Sequence, residues 1–128
     1  MLLYIKGITT EFHDIDLMVS TDEEKKVKVI LLGMGKIQES NQDQNSIYRT
    51  KTFMEFVIDD IDVDVMAGLA ILYEGKPYDC SLSENQIVEK IKLGRELVPL
   101  QSPQLWCKYY QLMGRKEKVK MIERYLLK

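Results

Sequence analysis

The chain has 128 residues, 45% of them apolar and 30% charged, which suits one globular domain large enough to bury a core. A net charge of −2 excludes a strong pull of the whole chain on nucleic acid. One histidine, two distant cysteines (Cys80 and Cys107) and no Gly-x-Ser-x-Gly turn exclude a His-rich metal site, a cysteine metal cage and a serine-hydrolase centre.

The opening Met-Leu-Leu-Tyr-Ile is too short for a secretory segment or a membrane span, and a reducing cytoplasm is the expected home. Residues 1–6 read as the tail of a helix stopped by Gly7, followed by a loop to His13. A strand is expected over about 14–19. Ser20-Thr21-Asp22-Glu23-Glu24 then offers a cap and acidic first-turn residues. Val27, Ile30, Leu31 and Met34 recur at helical spacing, and Gly33 and Gly35 end that helix. The polar run from Gln38 to Ser46 reads as a loop. Arg49 to Ile58 is expected to be a strand with Phe53, Glu55 and Val57 on one face and Met54, Phe56 and Ile58 on the other. Asp59-Asp60 breaks it, and Asp62 to Met66 returns as the antiparallel partner.

A turn over Ala70 to Tyr73, Gly75 and Pro77 and a short strand near 78–82 follow. Ser83-Glu84-Asn85-Gln86 has capping-box form and is expected to start a helix bearing Ile87, Val88 and Ile91, stopped by Gly94. Ser102-Pro103 marks a further helix start. Leu105, Trp106, Tyr109, Leu112 and Met113 line that helix, Gly114 breaks it, and Val119, Ile122 and Leu126 line a last one. The C-terminal third is basic, with Lys108, Arg115, Lys116, Lys118, Lys120, Arg124 and Lys128. Interleaved Glu117 and Glu123 make it read as a solvated helix face. The expected architecture is α+β: a small mixed sheet backed by helices, in one domain, with about 1–82 carrying the sheet and 83–128 three helices.

The chemistry concentrates in two runs, His13-Asp14-Ile15-Asp16-Leu17-Met18-Val19 and Ile61-Asp62-Val63-Asp64-Val65-Met66. Period-two alternation puts Asp14 and Asp16 on one strand face and Ile15, Leu17 and Val19 on the other. Adjacent carboxylates repel, and a hard divalent cation such as Mg²⁺ offsets that repulsion with oxygen ligation. A third carboxylate from the second strand would complete a phosphoryl- or nucleotidyl-transfer centre. A polar edge strand with solvated aspartates also explains a lone Asp-x-Asp. His13 alternates to the other face from Asp14 and reads as a packing or loop residue. Arg115 reads as a charge at a helix C-terminus, with contact to an anionic substrate as the alternative. Lys36 and Lys108 stand at no informative spacing.

In order and spacing, these segments resemble the nucleotidyltransferase superfamily, in the broad group of DNA polymerase β, antibiotic nucleotidyltransferases and minimal bacterial nucleotidyltransferases. Gly7-Ile8, five residues, then Asp14-Ile15-Asp16 resembles that family's loop-to-strand passage. Asp64 in Val-Asp-Val-Met-Ala-Gly resembles its third carboxylate. Val98-Pro99-Leu100-Gln101-Ser102-Pro103, a helix, Gly114-Arg115 and another helix resemble the C-terminal helices of bacterial members. The resemblance implies a metal-dependent transfer of a nucleoside monophosphate from an NTP to a hydroxyl, with Asp14, Asp16 and Asp64 as catalytic metal ligands. One or two Mg²⁺ ions would be the cofactor. Asp64 would hold a second metal or take the acceptor's proton, and Asp62 is the alternative on the same strand.

The acceptor, whether small molecule, protein or RNA, is unspecified; no membrane is expected, and a homodimer is a further expectation. Two departures stand out. The family's spacing puts its Gly-Gly or Gly-Ser motif just before Met1, and Thr10 and Phe12 stand where relatives often carry Arg and Thr. These imply a truncated or impaired enzyme, or a lapsed binding or assembly module of toxin–antitoxin or resistance type. A phosphohydrolase using water on the same metal geometry is a third reading.

Overall fold

The computed structural model describes residues 1–10, 12–38 and 47–127, and divides into two compact units. Met1 and residues 12–82 form the first; residues 2–11 and 83–128 form the second.

The first unit is built on a four-stranded mixed sheet in the order β1-β4-β3-β2. Strand β1 (Asp14–Val19) leads into helix α2 (Glu24–Leu32), then β2 (Lys36–Gln38), β3 (Thr52–Ile58) and β4 (Ile61–Ala67). Strands β3 and β4 are joined at Asp59-Asp60, both with positive φ (51° and 64°), a two-residue turn whose twist suits a tight antiparallel hairpin. Strand β1 runs parallel to β4, so α2, β2 and β3 form the crossover between them. One face of this sheet is apolar: Met54 and Phe56 of β3 and Val63 and Val65 of β4 are buried with Leu31 of α2. Ile15, Leu17, Val19, Val27 and Ile58 pack around them. Period-two alternation therefore puts Asp14, Asp16, Glu55, Asp62 and Asp64 on the opposite face, beside Met18, Phe53, Val57 and Met66.

A second hairpin, β5 (Ala70–Tyr73) and β6 (Lys76–Asp79), turns at Glu74-Gly75, again with positive φ. Residues 47–51 run beside it: the Arg49 N–H donates to Ala70 O (2.8 Å) and the Leu72 N–H to Ile47 O (2.6 Å). Cys80 is buried, and burial pushes its thiol up to about 11, so it is an inert core residue.

In the second unit, α1 (Leu2–Ile5) ends at Gly7 with φ 74°. Helices α3 (Pro103–Met113) and α4 (Lys116–Leu126) pack together, with Leu3, Cys107 and Ile122 buried in their shared cluster. The Ser102 side chain accepts from the Leu105 N–H, and Gly114 closes α3 in the left-handed conformation, φ 77°.

Here the structure corrects the sequence reading. The capping box at Ser83–Gln86 is real, but it closes one 3₁₀ turn (Glu84–Gln86) instead of opening a helix. The chain continues as β7 (Ile87–Leu93), paired with β8 (Glu96–Gln101), and Gly94 sits in the hairpin turn with φ 63°. Ile87, Val88 and Ile91 fit a helical stripe, yet three β-branched side chains favour a strand, in which Ile87, Glu89 and Ile91 are half-buried and Val88, Lys90 and Lys92 exposed. Two C-terminal helices therefore stand where three were expected.

Smaller corrections follow the same logic. Strand β2 is absent from the sequence reading, Ala70–Tyr73 is strand β5 instead of part of a turn, β3 begins at Thr52 instead of Arg49, and the strand expected near 78–82 lies at Lys76–Asp79. Helix α2 takes Glu23 as N-cap with no side-chain bond, so the Ser20–Glu24 cap does not form. Arg115 is the N-cap of α4 and not a C-terminal charge. Of the polar run at 38–46, Gln38 belongs to β2 and the rest lies outside the described residues.

Polar groups of the second unit link the buried Trp106 and Gln101 to the half-buried Gln86. Trp106 Nε1–H donates to Gln101 Oε1 (2.9 Å), Gln101 Nε2–H to Gln86 Oε1 (2.9 Å), and the Ser83 N–H to the same oxygen (3.1 Å). Trp106→Phe is expected to cost about 1–3 kcal/mol, because the Gln101 carbonyl loses its donor inside the core. Urea unfolding of that variant checks this; a cost within error of zero would show the link to be idle.

Candidate active site

The sheet register assembles the acidic residues. Parallel pairing of β1 with β4 sets Asp16 beside Asp64 and Asp14 beside Asp62, while antiparallel β3 sets Glu55 opposite Asp64. All five share the polar sheet face, because the odd-numbered neighbours Ile15, Leu17, Val63 and Val65 are turned to the core. One carboxylate oxygen from each of Asp14, Asp16 and Asp64 lies within 4.8 Å of the other two. Asp14 and Asp16 are exposed and Asp64 is half-buried.

Crowding shows in the titration of Asp64. Its carboxyl is raised from 3.8 to about 6, first by burial and then by the negative charges of Asp16, Asp14, Glu55 and Asp62. Three hard oxygen donors converging from two adjacent strands, with the most enclosed one holding its proton abnormally late, form a donor set suited to a hard divalent cation. The residues present thus fit such an ion.

The three residues singled out in the sequence are brought together, and Asp62 stays outside the cluster, exposed on its strand. His13 is exposed just before β1. Glu55 was not singled out. Its only signal in the sequence is an acidic residue breaking an apolar strand face between Phe53 and Val57, and the β3–β4 register is what sets it against Asp64. Among the described residues no helix is long and apolar enough to cross a membrane.

No family model matches the chain, and no curated protein matches it in sequence. Among solved structures it is similar to a Thermotoga maritima protein carrying a provisional description as a nucleotidyltransferase. The TM-score is 0.64 at 20% identity, over 98% of this chain and 76% of that one. At that identity the likeness establishes the fold. The chain has the α+β nucleotidyltransferase-like architecture, a mixed sheet with C-terminal helices.

Proposed function

We propose that this chain acts, as a single domain, as a cytoplasmic metal-dependent nucleotidyltransferase, moving a nucleoside monophosphate from an NTP to a hydroxyl acceptor. The observation that carries the reading is the convergence of Asp14, Asp16 and Asp64, with oxygens within 4.8 Å, on the polar face of this sheet. The neighbour's description as a nucleotidyltransferase supports it.

In this reading Asp14 and Asp16, the exposed members of the cluster, would hold Mg²⁺. The bound cation would neutralise the triphosphate and stabilise the charge of an in-line displacement at the α-phosphorus. Asp64 closes the ligand set from β4, or takes the proton as the acceptor oxygen bonds to phosphorus and pyrophosphate leaves. The apolar layer beneath, including Phe56 and Val65, fixes the strands and so the spacing of the carboxylates.

Thermal unfolding with Mg²⁺ and an NTP tests the proposal. Ligand at a hundredfold excess over its Kd stabilises by about 2.7 kcal/mol, a rise of several degrees. Asp14→Ala with Asp16→Ala is expected to remove the whole rise. No rise in the wild type at millimolar NTP and Mg²⁺ would overturn the enzyme reading in favour of a lapsed, purely structural copy of the fold. Release of nucleoside monophosphate without a labelled acceptor would redirect it to hydrolysis.

A further inference from the structure

Four large apolar residues open to solvent fall within the six positions from 29 to 34: Val29 (71% exposed), Ile30 (54%), Leu32 (45%) and Met34 (59%). The first three belong to α2 and Met34 to the turn that follows it. Apolar residues exposed singly are ordinary on a protein surface, but a run of four is not.

Helix geometry sorts them. Val27 and Leu31 take the side of α2 that packs on Met54, Phe56, Val63 and Val65 of the sheet. At about 100° per residue, Val29 stands roughly 180° round the helix from that side and Leu32 roughly 120°. Three positions apart, those two share an outer stripe, while Ile30 flanks the core. Lys25 and Lys28, both exposed, each precede one of the pair by four positions and so stand in the same stripe, one turn nearer the N-terminus. The last turn of α2 is therefore apolar on opposite sides, the pattern of a helix covered on both. Its own sheet covers the inner side.

We infer that the outer stripe of α2, with Val29, Leu32 and the adjoining Met34, is the seam of a symmetric homodimer in which α2 packs antiparallel on α2 of a second copy. The four exposed residues present on the order of 450 Å², as much as the largest patch on a typical single-copy protein. Two copies bring about 900 Å² of it, and the stems of Lys25 and Lys28 carry the total past the ~1,000 Å² that a specific interface needs. Charge placement favours the antiparallel arrangement. With a two-fold axis between Val29 and Leu32, the two Lys25 stand about 16 Å apart along the helices, beyond the Debye length of ~8 Å at physiological salt. Each Lys28 meets the last turn of the other α2, the negative end of its dipole. A lipid surface fits less well, because an interfacial helix carries its lysines opposite its apolar stripe, whereas here the two share one. The inference concerns association alone and stands apart from the catalytic reading.

Sedimentation velocity of the full chain without metal or nucleotide tests it, between about 5 and 500 µM, where an interface at the small end of the range associates. The weight-average mass is expected to rise from 15.0 kDa towards twice that value and to level there. Val29→Gln/Leu32→Gln is expected to weaken association at least tenfold. Both sites are exposed and Gln is a good helix former, so circular dichroism of that variant in dilute solution should match the wild type. Met34→Gln, outside the helix, is expected to weaken association several-fold by itself, and decides the matter should the double variant fail to fold. Leu97→Gln, at a comparably exposed apolar residue of β8 (65%), is expected to leave it unchanged. A chain that stays monomeric throughout, association that the Val29/Leu32 and Met34 variants leave intact, or a mass that climbs past two copies would overturn the inference. Capture of the monomer by vesicles containing about one-third phosphatidylserine, lost in the double variant, would overturn it too and give the stripe to a lipid surface.

Discussion

Gly35→Val is expected to unfold the first unit's sheet at its β2 edge and to cost about 3 kcal/mol or more, the high end of overpacking effects. Even a methyl group there would meet Val57 O at 2.3 Å, Ile58 Cγ1 at 2.8 Å and the Ile58 Cα at 3.1 Å. Two of those atoms are backbone, in the strand to which β2 is paired: Lys36 lies opposite Val57. The strand cannot yield without breaking that ladder, and Ile58 packs on the core beneath the carboxylates. Gly33 supplies the control. It closes α2 with φ −75°, and a Cβ there meets only Ile30 O at 3.4 Å and Val29 O at 4.0 Å. Gly33→Ala should therefore change stability by no more than about 0.5 kcal/mol. Denaturant titration of both variants decides the matter. Equal midpoints would mean that the α2–β2 connection tolerates a side chain, contrary to the contact distances.

Asp64→Asn is expected to abolish metal-dependent nucleotide stabilisation and activity while making the metal-free protein more stable at neutral pH. In the folded chain its carboxyl titrates near 6, against 3.8 ordinarily. Below about pH 3.8 both states hold the proton and the group contributes nothing. Between about 3.8 and 6 the unfolded chain releases its proton first, so stability falls as pH rises, and above 6 the full penalty remains. Asp64 is half-open to solvent, so screening leaves the penalty on the order of 1 kcal/mol. The variant should therefore melt above the wild type at pH 7.5 without metal and coincide with it at pH 3.5. Adding Mg²⁺ and NTP should reverse the order at pH 7.5. A variant that melts below the wild type at both pH values would show that Asp64 is held by hydrogen bonds and not crowded by charge. A gain without metal, with no reversal on adding ligand, would identify a lapsed site.

Much of this site is legible in the sequence because strand alternation is a local property. Asp-Ile-Asp-Leu-Met-Val has one polar and one apolar face in any sheet that buries it, and so has Ile-Asp-Val-Asp-Val-Met. What alternation does not give is the partner. Asp62 and Asp64 share a face, and only the register, Asp16 beside Asp64, selects the one whose oxygen reaches the pair on β1. Glu55 escaped notice for the same reason: its place opposite Asp64 is a cross-strand relation.

Elsewhere local signals competed. At Ser83–Gln86 a true capping box was followed by residues able to serve a helix or a strand, and pairing with Glu96–Gln101 decided for the strand. At Gly33 and Gly35 two glycines looked alike as helix stops. Contact with Val57 and Ile58, residues more than twenty positions away, makes one of them indispensable.

The sequence by itself therefore determined the α+β class, the acidic strand faces, the C-terminal helix pair and the basic character of its last helix. Each follows from side-chain periodicity, capping residues or charge within a few positions. Tertiary structure alone decided which carboxylates meet, how far the proton affinity of Asp64 rises, and which segment becomes a hairpin. Those outcomes depend on strand register and burial, which join residues distant in the chain and leave no local mark.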